Sequence, residues 1–539
     1  MTTTLNNNIK EYFIKNNGKY ELQPDVTFPV TIPANQDILI KVAGNGTILV
    51  DEEQWSSHEK TVLPSLITSI GNNAKVKIKI TQCANITIDR RLSLGSSINQ
   101  DGSRSQAALI DSVITGTIGS NVTLKISIVD SANIILNARD SSLIINDADL
   151  IKEIINIDDG DNPLDNFELD VKLINCANIH CPEDNNECGV VSINDGQLID
   201  EILDCGEIKN KSNINIKIKE SANVHVNSIN IVEGELVDEL IDCLSIADSS
   251  VEIKILSSIS TSANTISITE GELLDETMDV KNHIRNSKID AIITNSANVF
   301  YSASMAITNG ELIDEIIDTN EITNSKIEIE LTISGCASYI GNDACHTFAL
   351  TNGELIDEII DCSNNISDKS HILITVENSA NIITQNSSSH VPVLNITNSQ
   401  LLDELVDCPN INNNSITVEI SSSGNIALAN SILNSFNMNL IERIIDTENT
   451  TKITKEIEMN ISTGNTVTSN VCKSFNLLCV FSVPLEALIN TNNLFSSDFV
   501  KNNNISSTIS SSGENPISDD FIQAKPYFPP LTKADEETT

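Results

Sequence analysis

Aromatic residues are scarce in this chain, 3% of its 539 residues, and Trp55 is the single tryptophan. So few rings exclude a conventional carbohydrate-stacking cleft or an aromatic-rich interface core. Basic residues are few as well, 32 against 75 acidic ones, for a formal charge of −43. That balance argues against nucleic acid and anionic membrane surfaces as partners, because both need a basic face. No run of 18 apolar residues occurs, so no membrane span is expected. The opening MTTTLNNNIKEYFIKNNGKYELQ lacks the uninterrupted apolar core of a secretory leader. The expectation is synthesis in the cytoplasm, with incorporation into a virion or a surface assembly as the destination to test. The seven histidines form no HxxxH pair, no serine or cysteine nucleophile signature surrounds them, and no glycine-rich phosphate loop is present. No catalytic, cofactor-binding or metal-ligating residue is therefore assigned, and no cofactor is expected.

What is abundant is repetition. Isoleucine, asparagine, serine, threonine and aspartate dominate; Ile and Thr favour strands, Asn and Ser the turns between them. One phrase is an alternating run that ends in a small residue, then Ala, then usually Asn. It appears as VKIKITQCANITI (76–88), VTLKISIVDSANIIL (122–136), LDVKLINCANI (169–179) and INIKIKESANV (214–224). Its Asn is read at 85, 133, 178, 223, 264, 298, 381, 425 and 465, with Ser338 in the same slot. Intervals of 34–48 residues imply fixed strands joined by loops of variable length. In KIEIELTI (326–333) Ile327, Ile329, Leu331 and Ile333 face one way and Lys326, Glu328, Glu330 and Thr332 the other, the mark of a half-buried strand. A single repeat of this kind cannot bury its own apolar face, so neighbours must stack.

The second phrase is Gly-Glu-Leu-Ile-Asp-Glu-Ile-Ile-Asp. Its Gly falls at 196, 234, 271, 310 and 353, with Ser399 sixth and degenerate copies at 109–114, 150–155 and 440–445. A fixed Gly suggests a backbone position with φ > 0. Leu312, Ile313, Ile316 and Ile317 fit a helical stripe capped by Thr308 or Asn309. Asp318 would sit badly at a helix C-terminus, which leaves a strand with an irregular bend as the other reading.

The expected fold is mainly β, a parallel β-solenoid (right-handed β-helix) of about ten irregular 34–48-residue repeats, with one short helical turn per repeat as an alternative. Residues 1–61 read as an N-terminal β cap, 62–470 as solenoid repeats, 471–500 as a C-terminal cap and 501–539 as a flexible tail. The runs VKIKITQCANITI and LDVKLINCANIHC resemble right-handed parallel β-helices of the pectin-lyase-like class, as does the entry segment GKYELQPDVTFPVTIPANQDILIKVAGNGTIL. The resemblance covers about residues 18–470 and implies a ladder of stacked Asn side chains at the nine positions above. It also departs from the family. The carboxylate clusters paired with Gly-His-Gly or Arg-x-Lys that mark its polysaccharide-cleaving members are missing, and Asp158-Asp159-Gly160 has no His or Arg beside it.

The acidic columns are the first candidates for a site. Asp200, Asp238, Asp275, Asp314, Asp357 and Asp403 share one slot, and Glu201, Glu239, Glu276, Glu315, Glu358 and Glu404 the next. Asp204, Asp242, Asp279, Asp318, Asp361 and Asp407 share a third. Stacked at ~4.8 Å, neighbouring charges would repel by roughly 0.8 kcal/mol even in water. Calcium, raised pKa values or a solvated outward face would each offset this. Cys205, Cys243, Cys362 and Cys408 share a slot with Thr319 and Val280, while Cys83, Cys176 and Cys336 alternate with Ser, so both sets read as small packing residues and free thiols. Cys176, His180, Cys181 and Cys188 form a local set with zinc-binding chemistry but no common zinc spacing. The functional expectation is a non-enzymatic structural or attachment protein, an acidic rod in a fibre, coat or particle surface. It would assemble with itself or with another surface protein, and a glycan or receptor would be its external ligand. The alternatives are a polysaccharide hydrolase or lyase and a calcium-binding scaffold.

Overall fold

Among the described residues, the alternating runs become strands that pair in parallel with the copies of themselves before and after. The computed structural model describes residues 8–469, apart from 58–59, 99–103, 158–162, 183–187, 301–302, 333–335, 342–346, 385–391, 413, 422, 425, 429–431, 448, 453–456 and 463–467, and two later strands, Ile489–Thr491 and Ser506–Ile509. Among these residues the secondary structure is β throughout, with no α-helix, and nearly every pairing is parallel. The antiparallel exceptions are the hairpin Asn8–Asn16/Lys19–Gln23, the pairing of Asn8–Asn16 with Asp37–Gly44, and Ile86–Ile98 with Arg104–Gln106.

One sheet shows the rule most plainly. Asp37–Gly44, Lys75–Thr81, Thr123–Val129, Glu168–Ile174 and Asn213–Lys219 pair each with the next. Ser250–Leu256, Lys288–Thr294, Lys326–Thr332, His371–Glu377 and Ser415–Ser421 continue the series. The register never slips along it: Ile38, Val76, Leu124, Leu169, Ile214, Val251, Ile289, Ile327, Ile372 and Ile416 stack in one column. A slip by one residue would turn every aliphatic side chain outward, so burial enforces the register. Ile327, Ile329 and Leu331 are buried and Glu330 is exposed, as the alternation requires. Thr332, read as outward, is buried as well, and Ile333 lies outside the described residues. The aliphatic columns merge into one core running from Tyr12 to Ile445.

The hairpin 8–23 covers the first edge of this sheet, which blunts an open template for unwanted pairing. Val30–Ile32, Asp37–Gly44 and Ile48–Trp55, within the expected N-terminal cap, already pair in parallel with strands beyond residue 61. The expected cap at 471–500 and tail at 501–539 lie outside the described residues apart from the two short strands named above.

Pairings among Ile86–Ile98, Ile134–Leu136, Ile179–His180, Val224–Val232, Val190–Asn194 and Ser142–Asn146 close a six-strand parallel ring. The ring closes because Ile86–Ile98 and Val224–Val232 each continue through a corner. Each of these two strands pairs with one short strand before the corner and another after it.

At the corner after Lys75–Thr81 and several later strands of the long sheet, two residues in the left-handed region flank a small one. Asn175 (φ 55°) and Ala177 (φ 52°) bracket Cys176; Glu220 (φ 54°) and Ala222 (φ 52°) bracket Ser221. Left-handed backbone costs a non-glycine residue about 1–2 kcal/mol. Layer-to-layer amide bonds offset it. Asn133 N–H donates to Asn85 Oδ1 at 2.9 Å, Asn178 N–H to Asn133 Oδ1 at 2.9 Å, and Asn223 N–H to Asn178 Oδ1 at 3.0 Å. Each side-chain amide also donates onward: Asn85 Nδ2 to Asp130 O, Asn133 Nδ2 to Asn175 O and Asn178 Nδ2 to Glu220 O.

The ladder corrects one of the nine assignments. The next rung is Ser260, whose N–H donates to Asn223 Oδ1 at 3.0 Å and whose Oγ accepts from Asn298 N–H at 3.3 Å. Asn264 is instead exposed and bonds Asn227 on another corner. The Ser-Ala-Asn string at 262–264 imitates the phrase, but the corner is built from Ser258, Ile259 (φ 60°) and Ser260. Ser338 takes the slot as read, joining Asn298 to Asn381. Asn425 and Asn465 lie outside the described residues. Asn178→Ala removes a buried amide with partners in both neighbouring layers and should lower stability by about 1–3 kcal/mol, whereas Asn264→Ala should stay within about 0.5 kcal/mol. Denaturant melts of both variants check this.

Candidate functional site

The acidic phrase is where the backbone departs from regular strand. In Gln197–Ile199 the two apolar residues Leu198 and Ile199 are both buried, residues 200–202 bend, and Leu203–Lys209 resumes the strand. Leu312, Ile313, Ile316 and Ile317 are likewise all fully buried. The apolar spacing that imitates a helical stripe thus serves a bent strand, so the alternative of a helical turn is not found here. Between-layer pairing decides it: Ile110, Ile151, Ile199, Val237, Leu274, Ile313, Ile356 and Leu402 bridge in succession. A helix would forfeit that register.

The fixed glycine serves a purpose other than the expected one. Positive φ belongs to the residue before it: Asp195, Glu233, Glu270, Asn309, Asn352 and Asn398. Gly itself is needed for close approach. A Cβ on Gly234 would meet Gly196 O at 2.8 Å, one on Gly271 would meet Gly234 O at 2.6 Å, and one on Gly310 would meet Gly271 O at 2.5 Å.

With Leu and Ile turned inward at every layer, the acids between them line up outside. The register confirms the three columns beginning at Asp200, Glu201 and Asp204, and adds a fourth. Asp149, Gln197 and Glu235 pair directly, and Glu272, Glu311, Glu354 and Gln400 follow at the same offset from the bridging residues. The first letter after the glycine carried this signal in the sequence but was absorbed into the phrase. Gln197 Nε2 donates to Glu235 Oε2 at 2.9 Å and to Asp238 Oδ2 at 3.2 Å, tying two columns together.

The columns are half-buried rather than freely solvated. Burial, and then the neighbouring carboxylates, push Glu201 up to about 9, Glu276 to about 9 and Glu315 to about 10. Burial and the adjoining Glu354 carboxyl push Glu311 to about 11. Asp275 and Asp314 rise to about 7 for the same reasons, burial first and then the next aspartate in the column. Fixed cations near the columns are few. Lys152 fills the aspartate slot one layer before Asp200, 3.4 Å from Glu153, and Lys281 pairs with Asp242 at 2.7 Å.

Carboxylate oxygens of Glu201, Glu239 and Asp242 gather within 4.8 Å of one another. So do those of Glu239, Glu276 and Asp279, of Glu276, Glu315 and Asp318, and of Glu315, Glu358 and Asp361. Glu311, Glu354 and Asp357 form a similar group across the fourth column. All-oxygen groups of this kind suit a hard divalent cation.

The zinc alternative loses its ligands. Cys181 and Cys188 are joined by a disulfide with Cα atoms 6.0 Å apart, which takes both out of the zinc-binding set read from the sequence. Cys176 is buried in its corner column against Ile128 O and Ile174 O. Burial and the His225 ring beside it hold His180 down at about 4. Cys83, Cys176, Cys205, Cys243, Cys336, Cys362 and Cys408 are buried and free, as packing residues would be. Asp158, Asp159 and Gly160 lie outside the described residues. Among the described residues no helix is long and apolar enough to cross a membrane.

Compared with known family models, curated proteins and solved structures, the chain matches none.

A glutamate with its folded pKa raised to about 9 keeps a proton that the unfolded chain, near 4.5, has already released. The native state then binds more protons across that window, and stability falls as pH rises through it. With a chelator present, the melting midpoint should drop steadily between about pH 5 and pH 9. Differential scanning calorimetry at fixed ionic strength checks the sign; a midpoint that rises over this range contradicts it.

Proposed function

We propose that the chain is a parallel β-solenoid, coiled right-handed like the pectin-lyase-like proteins it resembles, and that it works as a non-enzymatic structural or attachment rod. The carrying observation is the unbroken register of parallel pairing from Asp37 to Ser421 in the long sheet. On this reading the six-strand ring is a corner effect of two strands that run through a bend, and the coil passes onward through it. A coil of about ten layers at ~4.8 Å each is roughly 50 Å long.

The rod reading draws further support from what the acidic face offers. From the layer of Asp200 to that of Asp403 the half-buried columns hold only carboxylates and two glutamines, with Lys152 one layer before Asp200 and Arg443 paired with Glu404 one layer after. General acid–base cleavage of a glycan needs two carboxyl groups with contrasted environments across a substrate-sized gap. Here the same environment repeats layer after layer, which suits a periodic surface better than a single reaction centre.

Electron microscopy of the purified protein across a concentration series tests the proposal, alongside turnover assays on a panel of acidic and neutral glycans. The expected outcome is short rods that associate into ordered fibres, sheets or particle-bound decorations, with no glycan cleaved. Dispersed single molecules at every concentration together with cleavage of any panel member would replace the rod with the hydrolase or lyase reading.

A further inference from the structure

We infer that the outward face of the first three strands of the long sheet docks the carboxylate columns of a second copy of this chain. Lys41, Lys75, Lys77, Lys79 and Lys125 make the contact. The inference rests on the rod reading above and names the surfaces through which rods associate.

The face differs from the rest of the molecule in charge. The chain carries 32 basic residues against 75 acidic ones. Yet Asp37–Gly44, Lys75–Thr81 and Thr123–Val129 turn those five lysines outward with a single acid, Asp37. Register sets like charges side by side, Lys41 against Lys79 and Lys77 against Lys125. Asp37, in register with Lys75, is already held by Lys15 Nζ at 2.8 Å and by Tyr20 Oη at 2.7 Å. Lys125 reaches Glu168 at 3.4 Å, and the other four lysines have no ion pair among the described residues. Later lysines on the same sheet are answered within their own strands, Lys172 by Asp170, Lys254 by Glu252 and Lys326 by Glu328. Apolar side chains adjoin the lysines. Ile9 is 57% exposed, Leu22 50% and Tyr20 38%. Ile9 lines a groove of about 480 Å³ together with Lys41 and Lys79. A free polyanion would engage the ammonium groups alone, whereas exposed aliphatic groups beside them suit a protein surface.

Charge and spacing select the columns of a second copy as the occupant. Within the chain, lysine already serves these columns twice. Lys152 Nζ lies 3.4 Å from Glu153, and Lys281 Nζ lies 2.7 Å from Asp242. Further along, the charges acting most strongly on Glu315, Glu358 and Asp361 are all carboxylates, so this stretch lacks the lysine that the earlier layers have. Lysine rows and acid rows both take their period from the strand spacing, ~4.8 Å, so two rods lying side by side bring them into step. The two surfaces are on different faces. The remainder of Leu203–Lys209 and the corner at Asn210 and Lys211 separate Asp204 from the long sheet. A contact between unlike faces leaves the lysines of one copy and the columns of the other free. It therefore propagates into an open filament or sheet instead of closing as a two-fold dimer.

Sedimentation velocity of the full-length protein over a concentration series tests the inference. Carbodiimide coupling of lysine to carboxylate, in a mixture of isotope-labelled and unlabelled chains, maps the contact. Wild type should associate at about 0.1 M salt and dissociate at about 1 M, where screening shortens to about 3 Å. Mixed-isotope cross-links should join Lys75, Lys77 or Lys79 to Glu315, Asp318, Glu358 or Asp361. K77E/K79E should keep its circular dichroism and associate about tenfold more weakly or worse. K326Q, on the same sheet but already held by Glu328, should associate as wild type does. D318N/D361N should also fail to associate alone, yet form dimers and nothing larger when mixed with K77E/K79E. Association unchanged in K77E/K79E overturns this contact and leaves the rod reading standing. A wild type that stays a single molecule at every concentration overturns both. Capture of heparin by single wild-type molecules, lost in K77E/K79E, gives the lysines to a free polyanion and overturns the second copy as occupant. If K77E/K79E fails to fold, the cross-link map of wild type carries the test, and mixed-isotope links confined to other residues overturn the contact.

Discussion

Everything in this chain depends on keeping about ten layers in register, and the corner amides enforce it. A strand pairing in parallel can slide by two residues and still bury the same face. The Asn ladder removes that freedom, because Asn85, Asn133, Asn178 and Asn223 each fit only one backbone N–H in the next layer. Left-handed Ala residues place those amides, and Ala is the smallest residue with a Cβ that can occupy the position. Serine ladders reinforce the same corner: Cys176 N–H donates to Ser221 Oγ, Ser221 N–H to Ser258 Oγ and Ser258 N–H to Ser296 Oγ. Local strain and long-range order are thus two sides of one device.

Register also creates the main electrostatic difficulty of the molecule. Once Leu and Ile must stack at each layer, the acids beside them must stack too. Burial then raises their proton affinity, and each neighbour raises it further. In water the repulsion of one pair is small, but partial burial strengthens it and forbids full solvation. Raised proton affinity relieves part of that repulsion, as at Glu201 and Glu276. The glycine column fits this logic: from Gly196 to Gly353 it brings successive backbones too close for a Cβ at the start of the acidic phrase.

Much of this was readable from the residues. Period-two alternation named the long sheet, and repetition named its partners. The corner Asn was found at seven positions that the structure describes, and six of them are rungs or end members of the ladder. Asn264 misled because three letters matched while the flanking strand did not; the even spacing of Ser260 between Asn223 and Asn298 was a clue the reading did not use. Periodicity could not tell a helical stripe from a bent strand in the acidic phrase, since two adjacent inward residues give both patterns. The glycine was expected to supply φ > 0, yet its neighbour does so, because contact between layers is invisible to a local reading. The Glu235 column was overlooked for the same reason, and the Cys181–Cys188 bridge because two thiols in a loop look alike whether bonded or free.

The central claim is that the corner amides are locked between layers. Hydrogen–deuterium exchange of the native protein measures it directly at the backbone N–H groups of Asn133, Asn178 and Asn223. The account predicts that these exchange as slowly as the amides of Ile216 and Ile253 in the strands of the long sheet. Exchange at the rate of exposed loop amides would show that successive layers are not joined at this corner, and would contradict it.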